Sequence, residues 1–214
     1  VDANTKLIWL CSPNNPSGNL LNRDAMLRVV RAVDCLVVVD EAYIDFAPDR
    51  TLLPELDAHP NLVVIQTFSK AWGLAGLRVG MAFGSEELIR VLNKIKPPYN
   101  LNGLAQQHVL AALHRVAEKD RMVGILLENR EALRAGLEAL PFVERVFPSD
   151  SNQLLVKFQD SAAVFGYLLE RKIIVRDRSK VLLCDNSLRI SIGTAEEDAR
   201  LLGQLAAFSV PQPV

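Results

Sequence analysis

Leu36-Val37-Val38-Val39-Asp40-Glu41-Ala42-Tyr43 is a four-residue apolar run that ends abruptly in two acids. Three consecutive valines favour extended backbone, and a short apolar run closed by polar residues reads as a buried strand. Residues 6–11 form a similar run upstream and lead into the turn-rich Ser12-Pro13-Asn14-Asn15-Pro16-Ser17-Gly18. Downstream, residues 62–65 run into Thr67-Phe68-Ser69-Lys70, and residues 78–83 make a fourth strand. Between the first two, a helix from about Asn22, a good N-cap, sets Met26, Val29, Val30 and Val33 on one face. Past the fourth, Ser85 is placed to cap a helix carrying Leu88, Ile89, Leu92 and Ile95. Strands alternating with helices imply an α/β layer structure built on a mainly parallel sheet.

Pro97-Pro98 stops that helix, and the pattern then changes. Residues 104–140 read as helical with little break, Met122, Leu126, Leu133, Leu137 and Leu140 recurring at helix spacing. Strands are expected at 142–147, 153–158, 173–176 and 188–192, with a helix over 161–171. Thr194-Ala195-Glu196-Glu197 has the form of a capping box opening a last helix. Residues 210–214 read as a loose tail. The expected organisation is a large α/β domain over 1–100, connecting helices over 101–135, and a smaller α+β domain over 136–214.

The 214 residues are half hydrophobic and 23 % charged, with a formal net charge of -1. That balance excludes a strongly basic nucleic-acid binder. No apolar run approaches the roughly 18 residues of a membrane span. The first residues lack a leader pattern, and Cys11, Cys35 and Cys184 are too scattered for a disulfide framework or a zinc site. Reduced thiols in the cytoplasm are therefore expected. His59, His108 and His114 have no metal-ligand spacing, and neither a dinucleotide fingerprint nor a P-loop is present.

Ligands of parallel α/β sheets gather at the carboxyl ends of the strands. Asn15, Asp40 and Lys70 each follow an apolar run, so parallel strands would deliver all three to one crevice. Each has an ordinary reading: a turn, a strand end with Glu41 solvated beside it, a surface charge. Together they match the needs of pyridoxal phosphate, which takes a lysine amine for its Schiff base and an acid opposite its ring nitrogen. Lys70 would supply the first and Asp40 the second. Asn15 and Tyr43 could bond the phenolic oxygen, while Thr67, Ser69 and the Arg78 fork could hold the phosphate.

Pro-Asn-Asn-Pro-Ser-Gly at 13–18, Asp-Glu-Ala-Tyr at 40–43 and Thr-Phe-Ser-Lys-Ala-Trp-Gly-Leu-Ala-Gly-Leu-Arg-Val-Gly at 67–80 resemble, in order and spacing, the motifs of fold-type I pyridoxal-phosphate aminotransferases. The likeness extends to Leu-Arg-Ile-Ser-Ile-Gly-Thr at 188–194 and is greatest to the histidinol-phosphate aminotransferase family. It implies that Lys70 is the catalytic lysine and that Arg189 meets the anionic end of the substrate. Arg176, thirteen residues earlier, matches a second arginine of that family; two arginines suit a phosphate ester. The implied reaction is transamination between histidinol phosphate and 2-oxoglutarate in histidine biosynthesis, by a homodimer. Threonine-phosphate decarboxylase, an aromatic aminotransferase and the sensor domain of a regulator are the alternatives. Family members carry a further N-terminal region, so the chain is expected to be a portion of a longer enzyme, its four-stranded sheet bare at both edges.

Overall fold

The computed structural model describes residues 1–209, so the expected tail at 210–214 lies outside the described residues. Two compact units emerge: Val1–Asn14 with Leu20–Val123, and Asn15–Asn19 with the chain from Gly124 onward. The second boundary falls inside the stretch read from sequence as connecting helices.

In the first unit, β1 (Leu7–Cys11), β2 (Leu36–Asp40), β3 (Leu62–Thr67) and β4 (Gly80–Phe83) lie side by side in that order. The β1–β2 and β2–β3 ladders are parallel, whereas β4 runs antiparallel to β3 with Thr67 opposite Gly80. The sheet is thus mainly parallel, as expected. Helix α1 (Arg23–Ala32) covers one face. Its N-cap is Asn22, whose side chain accepts the Ala25 N–H at 2.9 Å. Met26, Leu27 and Val30 pack on Val37, Val39, Leu62 and Val64, with Leu52 closing the cluster. Full burial of such side chains contributes about 1.5–3 kcal/mol each. On the opposite face of β1, Leu7 and Trp9 remain about half exposed, at 48 % and 55 %.

Helices α2 (Glu86–Ile95), α3 (Gly103–Leu113) and α4 (Val116–Glu138) follow. Ser85 stands at the start of α2 as expected, but its side chain caps no backbone group. The helical run expected over 104–140 is broken. His114 and Arg115 form a turn in which Arg115 N–H bonds the Ala112 carbonyl and Glu118 N–H bonds that of Arg115. No glycine or proline marks the break, because ordinary residues accommodate a turn of this kind.

The second unit holds an antiparallel sheet of β5 (Val143–Val146), β6 (Gln153–Phe158), β7 (Arg176–Asp177) and β8 (Ser187–Ser191), in the order β5-β6-β8-β7. Helices α5 (Ser161–Glu170) and α6 (Ala195–Ala206) flank it, and Thr194 with Glu197 forms the expected capping box. Leu133 and Leu137 of α4 pack with Leu154, Val156, Phe158, Leu168, Leu188 and Leu205 in one core. The strand expected over 173–176 shrinks to the two residues of β7. Lys172 takes a left-handed φ of 59°, and Ile173 N–H bonds the Leu168 carbonyl at 2.9 Å. Residues 173–175 therefore finish the exit from α5 before the ladder can begin.

Glu41 departs most from its sequence reading. It is only 1 % exposed, and its carboxylate accepts the Leu52 N–H at 2.6 Å, the Thr51 hydroxyl at 2.7 Å and the Gln66 amide at 2.8 Å. Burial raises its pKa above the ordinary carboxyl value, against the pull of these three donors. Glu41→Ala leaves a buried N–H and two side-chain donors without their acceptor and should cost roughly 3 kcal/mol in urea unfolding. A carboxyl with a raised folded pKa favours the fold below its unfolded pKa and loses that contribution as pH rises through the folded value. In Glu41→Gln, that decline of unfolding free energy with rising pH should disappear, measured across the acid range.

Candidate active site

The parallel ladders bring the carboxyl ends of β2 and β3 to the same edge, and the antiparallel β4 begins there. Asp40 closes β2, Thr67 closes β3, and Arg78 precedes β4 by two residues. Chain direction alone thus accounts for how Asp40, Lys70 and Arg78 converge. With Ala42, Ile65, Gln66, Thr67 and Ser69 they line a cavity of about 300 Å³.

Asp40 is held by an Asx-type turn in which its Oδ1 accepts the Ala42 N–H at 3.0 Å. The same turn carries Tyr43, buried at 6 % exposure, and the Lys70 ammonium lies 4.9 Å from the centre of its ring. A cation at that distance is attracted by the ring's quadrupole, which holds the exposed Lys70 over the cavity rather than in open water. The lysine loop is closed by Phe68 N–H to the Val79 carbonyl, Gly73 N–H to the Lys70 carbonyl and Leu74 N–H to the Phe68 carbonyl. Gly73 has φ +67°, which a side chain would strain.

Thr67 and Ser69 differ in their bonding. The Thr67 hydroxyl accepts the Ser69 N–H at 3.1 Å and has the Val79 carbonyl at 3.2 Å and the Ser69 hydroxyl at 2.9 Å as acceptors. Its one proton is used within the loop, whereas the Ser69 proton stays available to an anion. Arg78 adopts φ 56°, uncommon for a residue with a side chain, and donates from Nη1 to the Ala75 carbonyl at 3.0 Å. Its other guanidinium donors can meet a ligand. Gln66 was not singled out from sequence; it lines the cavity while tied to Glu41, and only the alternation of β3 hinted at its position.

Asn15 belongs to the second unit. The segment Asn15–Asn19 is fastened there by the Asp150 N–H to the Gly18 carbonyl, and a side chain at Gly18 would collide with Ser149. Arg189 of β8 donates from Nη1 to Asn15 Oδ1 at 2.8 Å. Arg176 of β7 stands directly opposite Arg189 in the ladder, so both guanidinium groups rise from one face of the sheet. Like charges directly opposite repel, a cost that an anion between them would remove.

The first unit thus gathers an amine, a carboxylate, a serine hydroxyl and a guanidinium on one cavity, and the second unit carries a separate cross-strand pair of arginines. The pattern of the family described as aminotransferase class I and II matches residues 1–205, and the chain belongs to that family, whose members depend on pyridoxal phosphate. It is 50 % identical over 208 residues to a histidinol-phosphate aminotransferase of Cytophaga hutchinsonii, covering 97 % of this chain and 60 % of that relative. The chain thus spans about three fifths of the length of the curated relatives it matches. Among solved structures, the histidinol-phosphate aminotransferase of Clostridium acetobutylicum superimposes with a TM-score of 0.90 at 21 % identity, over 95 % of this chain and 64 % of that one. The L-threonine-O-3-phosphate decarboxylase of Porphyromonas gingivalis gives 0.83 at 27 % identity, over 97 % and 66 %. These likenesses bear out the fold-type I reading of the sequence.

The Asn15–Arg189 bond generates a direct test. In a double-mutant cycle of Asn15→Ala and Arg189→Ala, urea unfolding should show a coupling of about 1 kcal/mol, the single losses not summing in the double variant.

Proposed function

We propose that the protein transfers an amino group between histidinol phosphate and 2-oxoglutarate, a step of histidine biosynthesis, as a cytoplasmic homodimer. The observation that carries this reading is the cross-strand pair Arg176 and Arg189, two cations on adjacent strands facing one way. One guanidinium satisfies a carboxylate; two suit the greater charge of a phosphate monoester. The 50 % identity to a histidinol-phosphate aminotransferase points to the same substrate. Ile95, Tyr99, Leu104 and Leu110, all strongly exposed around α2 and α3, support a second copy as partner. Among the described residues no helix is long and apolar enough to cross a membrane.

The cavity residues fit pyridoxal phosphate: Lys70 for the covalent bond and Asp40 for the ring nitrogen, with Tyr43, beside Lys70, for the phenolic oxygen. Ser69 and Arg78 suit its phosphate, with Thr67 fixing the loop that presents Ser69. When bound, the cofactor supplies the electron sink that makes the substrate's amine-bearing carbon acidic. The chain's own residues then act in order. Arg176 and Arg189 would hold the anionic end of the substrate. The Lys70 Nζ would take the proton from the substrate's amine-bearing carbon as general base and deliver it again as general acid. Asp40 would face the ring nitrogen, where a carboxylate favours a protonated ring.

The similarity to L-threonine-O-3-phosphate decarboxylase at 27 % identity favours a second reading, decarboxylation of a phosphorylated amino acid. Both substrates carry a phosphate, so the arginine pair serves either. Incubation with pyridoxal phosphate followed by borohydride should label Lys70 alone, read by peptide mass spectrometry. Histidinol phosphate with 2-oxoglutarate should yield glutamate without carbon dioxide; carbon dioxide from threonine phosphate would transfer the assignment to the decarboxylase. Arg176→Gln should raise KM for histidinol phosphate on the order of tenfold, the cost of one charge-assisted hydrogen bond, with a smaller change for 2-oxoglutarate.

A further inference from the structure

Lys119, in the first turn of α4, is far from the cavity in sequence and absent from its lining. Its side chain is only 12 % exposed, although lysine is ordinarily a surface residue. The ammonium contacts Asp45 at 3.1 Å and Asp120 at 2.7 Å, and it stands 5.2 Å from the centre of the Trp72 ring. Burial alone would lower its pKa, but the bonds to Asp120 and Asp45 outweigh burial and hold the pKa above the ordinary lysine value. The group is thus a permanent cation with three partners.

Two of those partners belong to the loops that carry the proposed cofactor residues. Asp45 is two residues past Tyr43, within a 3-10 turn (Ile44–Phe46) that starts on the Tyr43 carbonyl, Phe46 N–H bonding it at 3.2 Å. Trp72 is two residues past Lys70, inside the turn closed by Gly73 N–H on the Lys70 carbonyl at 2.9 Å. Trp72 also packs against buried Phe68, with ring centroids 5.4 Å apart. Across these loops, the Tyr43 ring and the Lys70 ammonium meet at 4.9 Å. All these residues lie in the first unit.

We infer that Lys119 is a positioning residue: by bridging Asp45 and the Trp72 ring it holds the Tyr43 turn and the Lys70 loop at the separation that lets Tyr43 and Lys70 engage one cofactor. This rests on the assignment of Tyr43 and Lys70 to pyridoxal phosphate. Lys119 is not among the residues that line the cavity. Its long stem fills the space beside Trp72 and its charge supplies the tie, so the two contributions can be separated by substitution. Lys119→Met keeps the stem and removes the charge, whereas Lys119→Arg keeps a cation able to stack on the indole.

The test uses the protein loaded with pyridoxal phosphate, measuring the dissociation constant of the cofactor and its visible absorption maximum, alongside the melting temperature of the cofactor-free form. Lys119→Met should hold the cofactor on the order of tenfold more weakly and shift its absorption, with little change in melting temperature. Lys119→Arg should restore both readouts most of the way. Asp45→Asn should act in the same direction, and combined with Lys119→Met should add nothing further. Unchanged affinity and absorption in Lys119→Met would overturn the inference while leaving the aminotransferase reading intact. So would a loss that follows a fall in melting temperature and is not recovered by arginine. If borohydride fails to label Lys70 in the unsubstituted protein, the functional reading itself fails and the inference falls with it.

Discussion

The direction of three adjacent strands is the constraint from which the proposed site follows. A parallel ladder requires every strand to finish at the same edge, so whatever follows β2 and β3 in sequence must begin there. Asp40 and the lysine loop need no further force to bring them close. The reversal at β4 completes the arrangement, because an antiparallel strand must start where its neighbour ends. Arg78, which comes before its strand rather than after it, reaches the common edge for that reason. Side-chain packing of α1 against the sheet then fixes this geometry without contributing a single group to the cavity.

Polar groups beneath that edge do the finer placement. Glu41 lies between Asp40 and Tyr43 in sequence and joins the segment at Thr51–Leu52 to Gln66 of β3. A buried carboxylate with three donors makes its surroundings less tolerant of movement, since any shift exposes an unmet donor or acceptor. Asp40 can therefore remain partly exposed yet well oriented. The acid that meets the proposed cofactor and the acid that holds the turn are adjacent residues with opposite surroundings.

Much of this was legible in the residues. The caps at Asn22 and Thr194 were readable because a cap is decided within four residues. The strands β1, β2, β3 and β6 were readable because their apolar runs match their ladders closely. What was not legible either lacked a local marker or depended on partners distant in sequence. The reversal of β4 has no local signature, and the break between α3 and α4 lacks a breaker residue. The short β7 reflects the exit from α5 rather than the β-propensity of Ile173-Ile174-Val175. Glu41 read as a solvated neighbour because nothing nearby announces Leu52 or Gln66. Of the candidate residues, Asp40, Thr67, Ser69, Lys70 and Arg78 were found together on one cavity. The bond between Asn15 and Arg189 spans 174 positions and has no sequence signal.

The two facing arginines on β7 and β8 have a practical side. Fixed cations on neighbouring strands draw a counter-ion from whatever the solution provides, and inorganic phosphate or sulfate resembles half of the proposed substrate. Apparent affinities measured in such buffers would then describe a competition, and added salt would weaken binding by screening the same field. Neutral molecules gain nothing from this field, since they leave the two guanidinium groups opposed as before. The pair thus discriminates through what an anion gains by relieving it, and a neutral amine binds without that gain.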